Sequence, residues 1–210
     1  MLNKKARIAV LVSGGGTNLQ AIIDAQNSGI INSGEVVLVV SNKADAFALE
    51  RAKKAGIETK VVLKKDCADN PEFEQRIIDA LDEAKIDIIV LAGFMCILSE
   101  NFTSRYDKRI LNVHPSLIPS FCGEGFYGLR VHEAALSKGV KVTGATVHFV
   151  NEIPDGGEII AQKAVEVLEG DTPEILQKRV MEQAEWKILP LAVQKVSQDI
   201  IKIYSKEDSL

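Results

Sequence analysis

Short apolar runs alternate with stretches of helical spacing over the first 91 residues, and no other feature constrains the fold so tightly. RIAVLV at 7–12, VVLVV at 36–40, TKVVL at 59–63 and DIIVL at 87–91 are each about one strand long. Mostly apolar runs of this length suit strands buried on both faces of a parallel sheet. Between them Leu19, Ile22, Ile23 and Ala25 recur at helical spacing. Residues 45–55 read as a helix ended by Gly56, and Pro71 opens another that runs to Lys85. Parallel neighbours need crossover connections, so the pattern predicts an α/β fold built on an open, mostly parallel twisted sheet.

The second half keeps the theme and then departs from it. RILNV at 109–113 reads as a fifth strand, and 129–137 as a helix before Gly139. KVTGATVHFV at 141–150 alternates, and EIIAQKAV at 158–165 follows a glycine turn at PDGG, which predicts an antiparallel extension. A long C-terminal helix is expected over 172–204, interrupted or kinked at Pro190. Without linker or repeat, residues 1–210 are expected to form one domain. A net charge of -4 offers no basic field for nucleic acid, so an anionic ligand must be held locally. No apolar run approaches the roughly 18 residues of a membrane span. MLNKKARIAVLV passes straight into a strand with no cleavage site, so the chain reads as cytoplasmic. Cys67, Cys96 and Cys122 are odd in number and lack a C-x-x-C spacing, which supports neither disulfides nor a metal site.

SGGGTN at 13–18 lies between a strand and a helix, where backbone N–H groups and the helix dipole converge on an anion such as phosphate. A glycine turn that merely lets strand and helix pack closely is the other reading. No lysine follows the last glycine, so the loop is not that of nucleoside triphosphatases. A third dinucleotide-type glycine is missing too, and the second strand ends in Ser41-Asn42 where an acid would hold a ribose diol.

Asn112 and His114 stand two apart at the end of the fifth strand, so both project to one side while Val113 packs the other way. The carboxyl edge of such a sheet is where ligands bind. Asp155, in the PDGG turn, offers a carboxylate able to pair with an imidazolium. An amide donor and a protonated imidazole can stabilise a tetrahedral oxyanion while a carboxylate helps move a proton. Ser116 follows a proline in a rigid turn and Cys122 has no evident base, so direct acyl transfer ranks above a serine or cysteine hydrolase.

With these groups in hand, the chain resembles the folate-dependent formyltransferase family, in its phosphoribosylglycinamide branch. The resemblance lies in VLVSGGGTNLQAIIDA at 10–25, SNKADAFALERAKKAGI at 41–57, VLAGFMCILS at 90–99, NVHPSLIPSF at 112–121 and TGATVHFVNEIPDGGEII at 143–160. It implies a Rossmann-like formyltransferase fold with a phosphate-binding half to about residue 100 and a catalytic, folate-binding half beyond. It implies transfer of a formyl group from 10-formyltetrahydrofolate to the amine of glycinamide ribonucleotide, in purine biosynthesis. His114 would be the general acid, Asn112 would bind the formyl oxygen, and Asp155 would raise the imidazole's pKa. Gly16, Thr17 and Asn18 would bind the phosphate, and Glu185 the ribose. Met95, Cys96, Ile97 and Leu98, with the loop 151–155, would line the pterin pocket; plain core packing is the other reading of 95–98. Partners would be these small molecules, with no nucleic acid, membrane or metal, and the chain a monomer or homodimer.

Two departures stand out: Cys96 occupies a place where many members carry Arg, and Asn70 lies near where some use a basic residue for the folate glutamate tail, so that either Lys64 or Lys65 would substitute or the contact would be lost. CGEGFYGLR at 122–130 is longer than in some relatives, and His148, on an alternating strand, reads as structural, with a position facing the site as the other reading. A transfer-RNA formyltransferase would be expected to add an RNA-binding domain, and a formyltetrahydrofolate hydrolase an amino-terminal one. Here the first strand begins near residue 6 and the last helix ends in KEDSL. A non-catalytic nucleotide-binding module would not need Asn112, His114 and Asp155 together.

Overall fold

The computed structural model describes residues 5–207, so the opening MLNK and the last three residues of KEDSL lie outside it. Its strands are β1 (Ala6–Val12), β2 (Gly34–Ser41), β3 (Glu58–Val61), β4 (Ile88–Leu91), β5 (Ile110–His114), β6 (Val142–Phe149) and β7 (Ile159–Glu166). They form a seven-stranded sheet in the order β3-β2-β1-β4-β5-β6-β7. β1 to β5 pair in parallel, whereas β6 and β7 add antiparallel, as the alternating second half predicts. The link between the last two strands is the loop 150–158 rather than a short glycine turn.

Side-chain alternation along β1 divides the core. Ile8, Val10 and Val12 point to the face covered by α1 (Thr17–Asn27) and α2 (Phe47–Lys54). Ala9 and Leu11 point to the face covered by α3 (Asn70–Glu83) and α4 (Glu100–Arg105). Ile8 and Leu11 are fully buried, each contributing roughly 1.5–3 kcal/mol. α5 (Leu129–Lys138), α6 (Pro173–Val180) and α7 (Trp186–Glu207) complete the first face through Ala135, Leu176, Leu189 and Val193.

Two helical features differ from expectation. α4 has six residues, too few to show a helical period, and is nucleated by Ser99, whose Oγ accepts from Phe102 N–H at 3.3 Å. The C-terminal helix breaks at a π-helical turn, Met181–Glu185, not at Pro190, which lies inside α7. A helical proline clashes with the carbonyl four residues earlier, here Trp186, so the distortion falls on its N-terminal side.

β4 returns beside β1 on the side away from β2. Connections therefore diverge between β1 and β4, opening a crevice at their carboxyl ends. The glycine loop after β1, the loop 92–99 after β4 and the end of β5 all meet there.

Candidate active site

A cavity of about 860 Å³ runs along this carboxyl edge and is lined by Asn18, Asn112, His114, His148, Asp155 and Glu185, among others. That volume suits a small-molecule site. Asn112 and His114 share one face of β5, as their spacing requires. The His114 ring Nε2 lies 2.8 Å from the Phe121 carbonyl oxygen, which can only accept, so Nε2–H donates. Nδ1 is thereby left facing Asp155 Oδ2 at 3.4 Å. Burial pushes the His114 imidazole down, opposed by the Asp155 charge and the Phe121 carbonyl, and the net direction is below the ordinary histidine value. The Asp155 charge acts to raise the imidazole's proton affinity, and burial outweighs it.

Asp155 sits at φ 55°, a left-handed conformation that non-glycine residues adopt rarely and often at functional sites. Its Oδ2 accepts from Gly123 N–H at 2.9 Å. Burial pushes its carboxyl up, yet His148, the Gly123 amide and His114 together pull it below the usual carboxylate range. Gly157 permits the turn: a Cβ there would stand 1.8 Å from the Phe149 carbonyl oxygen.

His148 belongs to this site rather than to the core alone. It pairs with Asn112 in the β5–β6 register. Its Nδ1–H donates to the Phe149 carbonyl at 2.7 Å, and its Nε2 stands 3.2 Å from Asn112 Nδ2 and 3.5 Å from Asp155 Oδ1. The imidazole therefore orients the Asn112 amide and leaves that amide a second N–H for a ligand oxygen. Only strand register reveals this. His132, on α5, is fully buried with no hydrogen-bond partner for either ring nitrogen among the described residues and is pushed down to about 4, first by burial and then by His114. Its helical spacing reads simply as core.

No competing nucleophile is present among the described residues near His114. Ser116 Oγ donates to the Ser120 carbonyl at 2.5 Å. Burial, then the Asp155 charge, pushes the Cys122 thiol up, away from thiolate character.

At the other end of the cavity, Thr17 and Asn18 begin α1, and their N–H groups precede the first intrahelical bond, from Gln20 N–H to Gly16 O at 2.9 Å. Asn18 Nδ2 donates to Glu185 Oε2 at 2.7 Å, while Asn18 Oδ1 is buried without a partner among the described residues. Glu185, at the end of the π-helical turn, is pushed up to about 7 by burial, with Asn18 opposing. π-helical turns recur at functional sites because they re-aim a side chain. Gly16 does not line the cavity; it sits at φ 71° against Ala48, where a Cβ would come within 2.6 Å.

Met95, Cys96, Ile97 and Leu98 line the cavity, and Met95, Ile97 and Ile153 expose more than half of their surface. Met95 and Ile97 are therefore walls, whereas Leu98 is buried in the core on the α3–α4 face and Cys96 packs against that core. Met95 N–H is fixed by Ser13 Oγ at 2.8 Å, and Cys96 Sγ accepts from Asn42 Nδ2 at 3.1 Å. Residues 123–128 form a further wall, which includes Phe126 and Tyr127. Asn70 does not line the cavity, nor do Lys64 and Lys65: Asn70 Nδ2 donates to the buried Glu74 at 3.0 Å, which also holds the Ser99 N–H at 2.8 Å. Among the described residues no group of three His, Cys, Asp or Glu side chains could hold a metal ion, and no helix is long and apolar enough to cross a membrane.

Residues 6–193 match the sequence profile of the family described as Formyl transferase. The phosphoribosylglycinamide formyltransferase of Haemophilus influenzae is 44% identical over 197 residues, covering 94% of this chain and 90% of that protein. Trifunctional purine biosynthetic protein adenosine-3 of Homo sapiens is 47% identical over 200 residues, 95% of this chain but 19% of its own length. The chain thus spans about a fifth of that trifunctional relative. The solved glycinamide ribonucleotide transformylase 1 from Symbiobacterium toebii superposes with a TM-score of 0.87 at 40% identity, covering 95% of this chain and 90% of that one.

Proposed function

Because the chain belongs to the formyl transferase family, we infer that it transfers the formyl group of 10-formyltetrahydrofolate to the amine of glycinamide ribonucleotide. The observation that carries this reading is the cavity itself, with an anion-ready helix start at one end, Asn112, His114 and Asp155 in the middle, and an apolar wall at the other. Residues up to about 100 supply the helix start and one side of that wall, and the later half the reacting groups and the wall's other side. Met95, Ile97 and Ile153 offer apolar surface to the flat pterin and aryl rings. Thr17 and Asn18 offer N–H groups to the phosphate, and Glu185 is an acceptor for the ribose hydroxyls.

The amine nitrogen attacks the formyl carbon, forming a C–N bond, and its electron pair displaces the carbonyl electrons onto oxygen. Asn112 donates its free N–H to that oxygen, and His114, once protonated at Nδ1 beside Asp155, sets its positive charge near it. Collapse of the intermediate breaks the bond to the folate N10. The proton lost by the attacking amine reaches N10 by way of water beside Asp155. No covalent enzyme intermediate is involved.

Purified protein assayed with 10-formyltetrahydrofolate or a 10-formyl-dideazafolate analogue, with and without glycinamide ribonucleotide, tests the reading. Deformylation that depends on the ribonucleotide and yields its formyl derivative is expected. Deformylation without it would identify a hydrolase, and none in either case a binding module.

A further inference from the structure

The segment 41–57 carries part of the family resemblance, and of its residues only Asn42, which holds Cys96, has been given a role above. Within it, α2 packs directly on the glycine loop. Gly14 O accepts from Ala48 N–H at 3.0 Å, and Gly15 O accepts from Arg51 Nε at 2.8 Å. Arg51 Nη1 also donates to Gln20 Oε1 at 3.1 Å, which ties the loop to the first turn of α1. Its guanidinium lies 5.0 Å from the centroid of the Phe47 ring, a cation–π contact that holds the fork in place.

A trans peptide is planar, so fixing a carbonyl oxygen aims the following N–H the opposite way. Pinning Gly15 O to Arg51 therefore directs the Gly16 N–H away from α2, and the bond from Gln20 to Gly16 O directs the Thr17 N–H outward from the start of α1. Among the described residues, no carboxylate pairs with Arg51 in an ion pair, so its charge is left beside the loop. Asp24 and Lys187 share a neighbouring depression with it.

We propose that Arg51 is a positioning residue for phosphate recognition: its fork holds the glycine loop with the amides presented to the acceptor's phosphate, and its unneutralised charge favours the phosphate there. The proposal rests on the reading of the acceptor as a ribonucleotide.

Arg51→Met keeps the aliphatic stem and removes both the fork and the charge, whereas Arg51→Lys keeps the charge alone. In Arg51→Met the KM for glycinamide ribonucleotide should rise about tenfold, the size of one lost charge-assisted hydrogen bond at a partly exposed site. Turnover at saturation should fall less than about twofold, and the KM for the formyl donor should not move. Arg51→Lys should recover part of the loss. Calorimetric titration with ribose 5-phosphate supplies a readout free of turnover, and the variant should bind about tenfold more weakly at matched thermal stability. An unchanged affinity for ribose 5-phosphate in Arg51→Met, or a KM for the formyl donor that rises in step, would overturn the assignment. So would a wild-type protein that binds no ribose 5-phosphate. A wild type that binds ribose 5-phosphate yet transfers nothing to the ribonucleotide would sink the acceptor reading alone, and the titrations would still judge Arg51.

Discussion

Replacing Glu185 with glutamine preserves the shape of a buried side chain and the acceptor for Asn18 Nδ2, while removing the charge. Burial pushes this carboxyl from its ordinary 4.5 to about 7, against the opposing bond from Asn18. In the unfolded chain the proton leaves near 4.5, whereas the folded protein keeps it to about 7. Across that interval the native state binds more protons, so stability falls as pH rises, and the penalty is complete above the folded value. At about 1.4 kcal/mol per tenfold, the gap amounts to roughly 3 kcal/mol, with backbone relaxation and water entry reducing it. Glu185→Gln should therefore match the wild type near pH 4.5 and exceed it by about 3 kcal/mol at pH 8.5. For a chain of this length that corresponds to roughly 6–12 °C in Tm. Urea unfolding of the ligand-free proteins across this pH range measures the difference directly. Parallel stability curves for the two proteins would refute the buried-carboxylate argument. Weaker ribonucleotide binding by the more stable variant would show that the carboxylate is retained for its ligand rather than for the fold.

Loss of the imidazole in His114→Ala should lower turnover by about 10²–10⁴-fold, the range for a positioned acid–base group, and a near-normal rate would remove it from the chemistry. In Asp155→Asn the His114 pKa should fall further below the ordinary value, since the raising charge has gone; NMR titration of the histidine ring protons reads this, and an unmoved midpoint would contradict the pairing. Gly157→Ala should cost about 1–3 kcal/mol in denaturant unfolding and lower activity as well, because the new methyl group displaces the Phe149 carbonyl that fixes His148. Unchanged stability and rate would mean that the turn can re-form around a side chain.

Much of the fold is legible because it is local. RIAVLV, VVLVV and DIIVL announce buried parallel strands, and the glycine loop falls between strand and helix, where an anion site belongs. Asn112 and His114 can be placed on one face from their spacing alone, since strand side chains alternate with period two. α4 escapes the same treatment because six residues hold no full period pattern, and the break ahead of α7 is displaced because proline strains the turn before it rather than its own position.

The rest depends on contacts between segments far apart in the chain. His148 becomes a partner of Asn112 only through the β5–β6 register, and a one-residue slip would turn it to the other face. Asn70 gives one amide N–H to Glu74, one helical turn on, a contact that no reading of Asn70 alone would supply. Glu185 comes out of the sequence only through the family resemblance, as the acid that would hold the ribose, and its perturbed proton affinity exists only because the π-helical turn buries it against Asn18. Alternation of apolar runs determined by itself the α/β class, the sheet's parallel half and the placement of Asn112 and His114 on one face of a strand end, since periodicity and turn chemistry act between near neighbours. Strand order, register and burial decided which groups meet and what their proton affinities become, because desolvation and charge depend on distance in space and not along the chain.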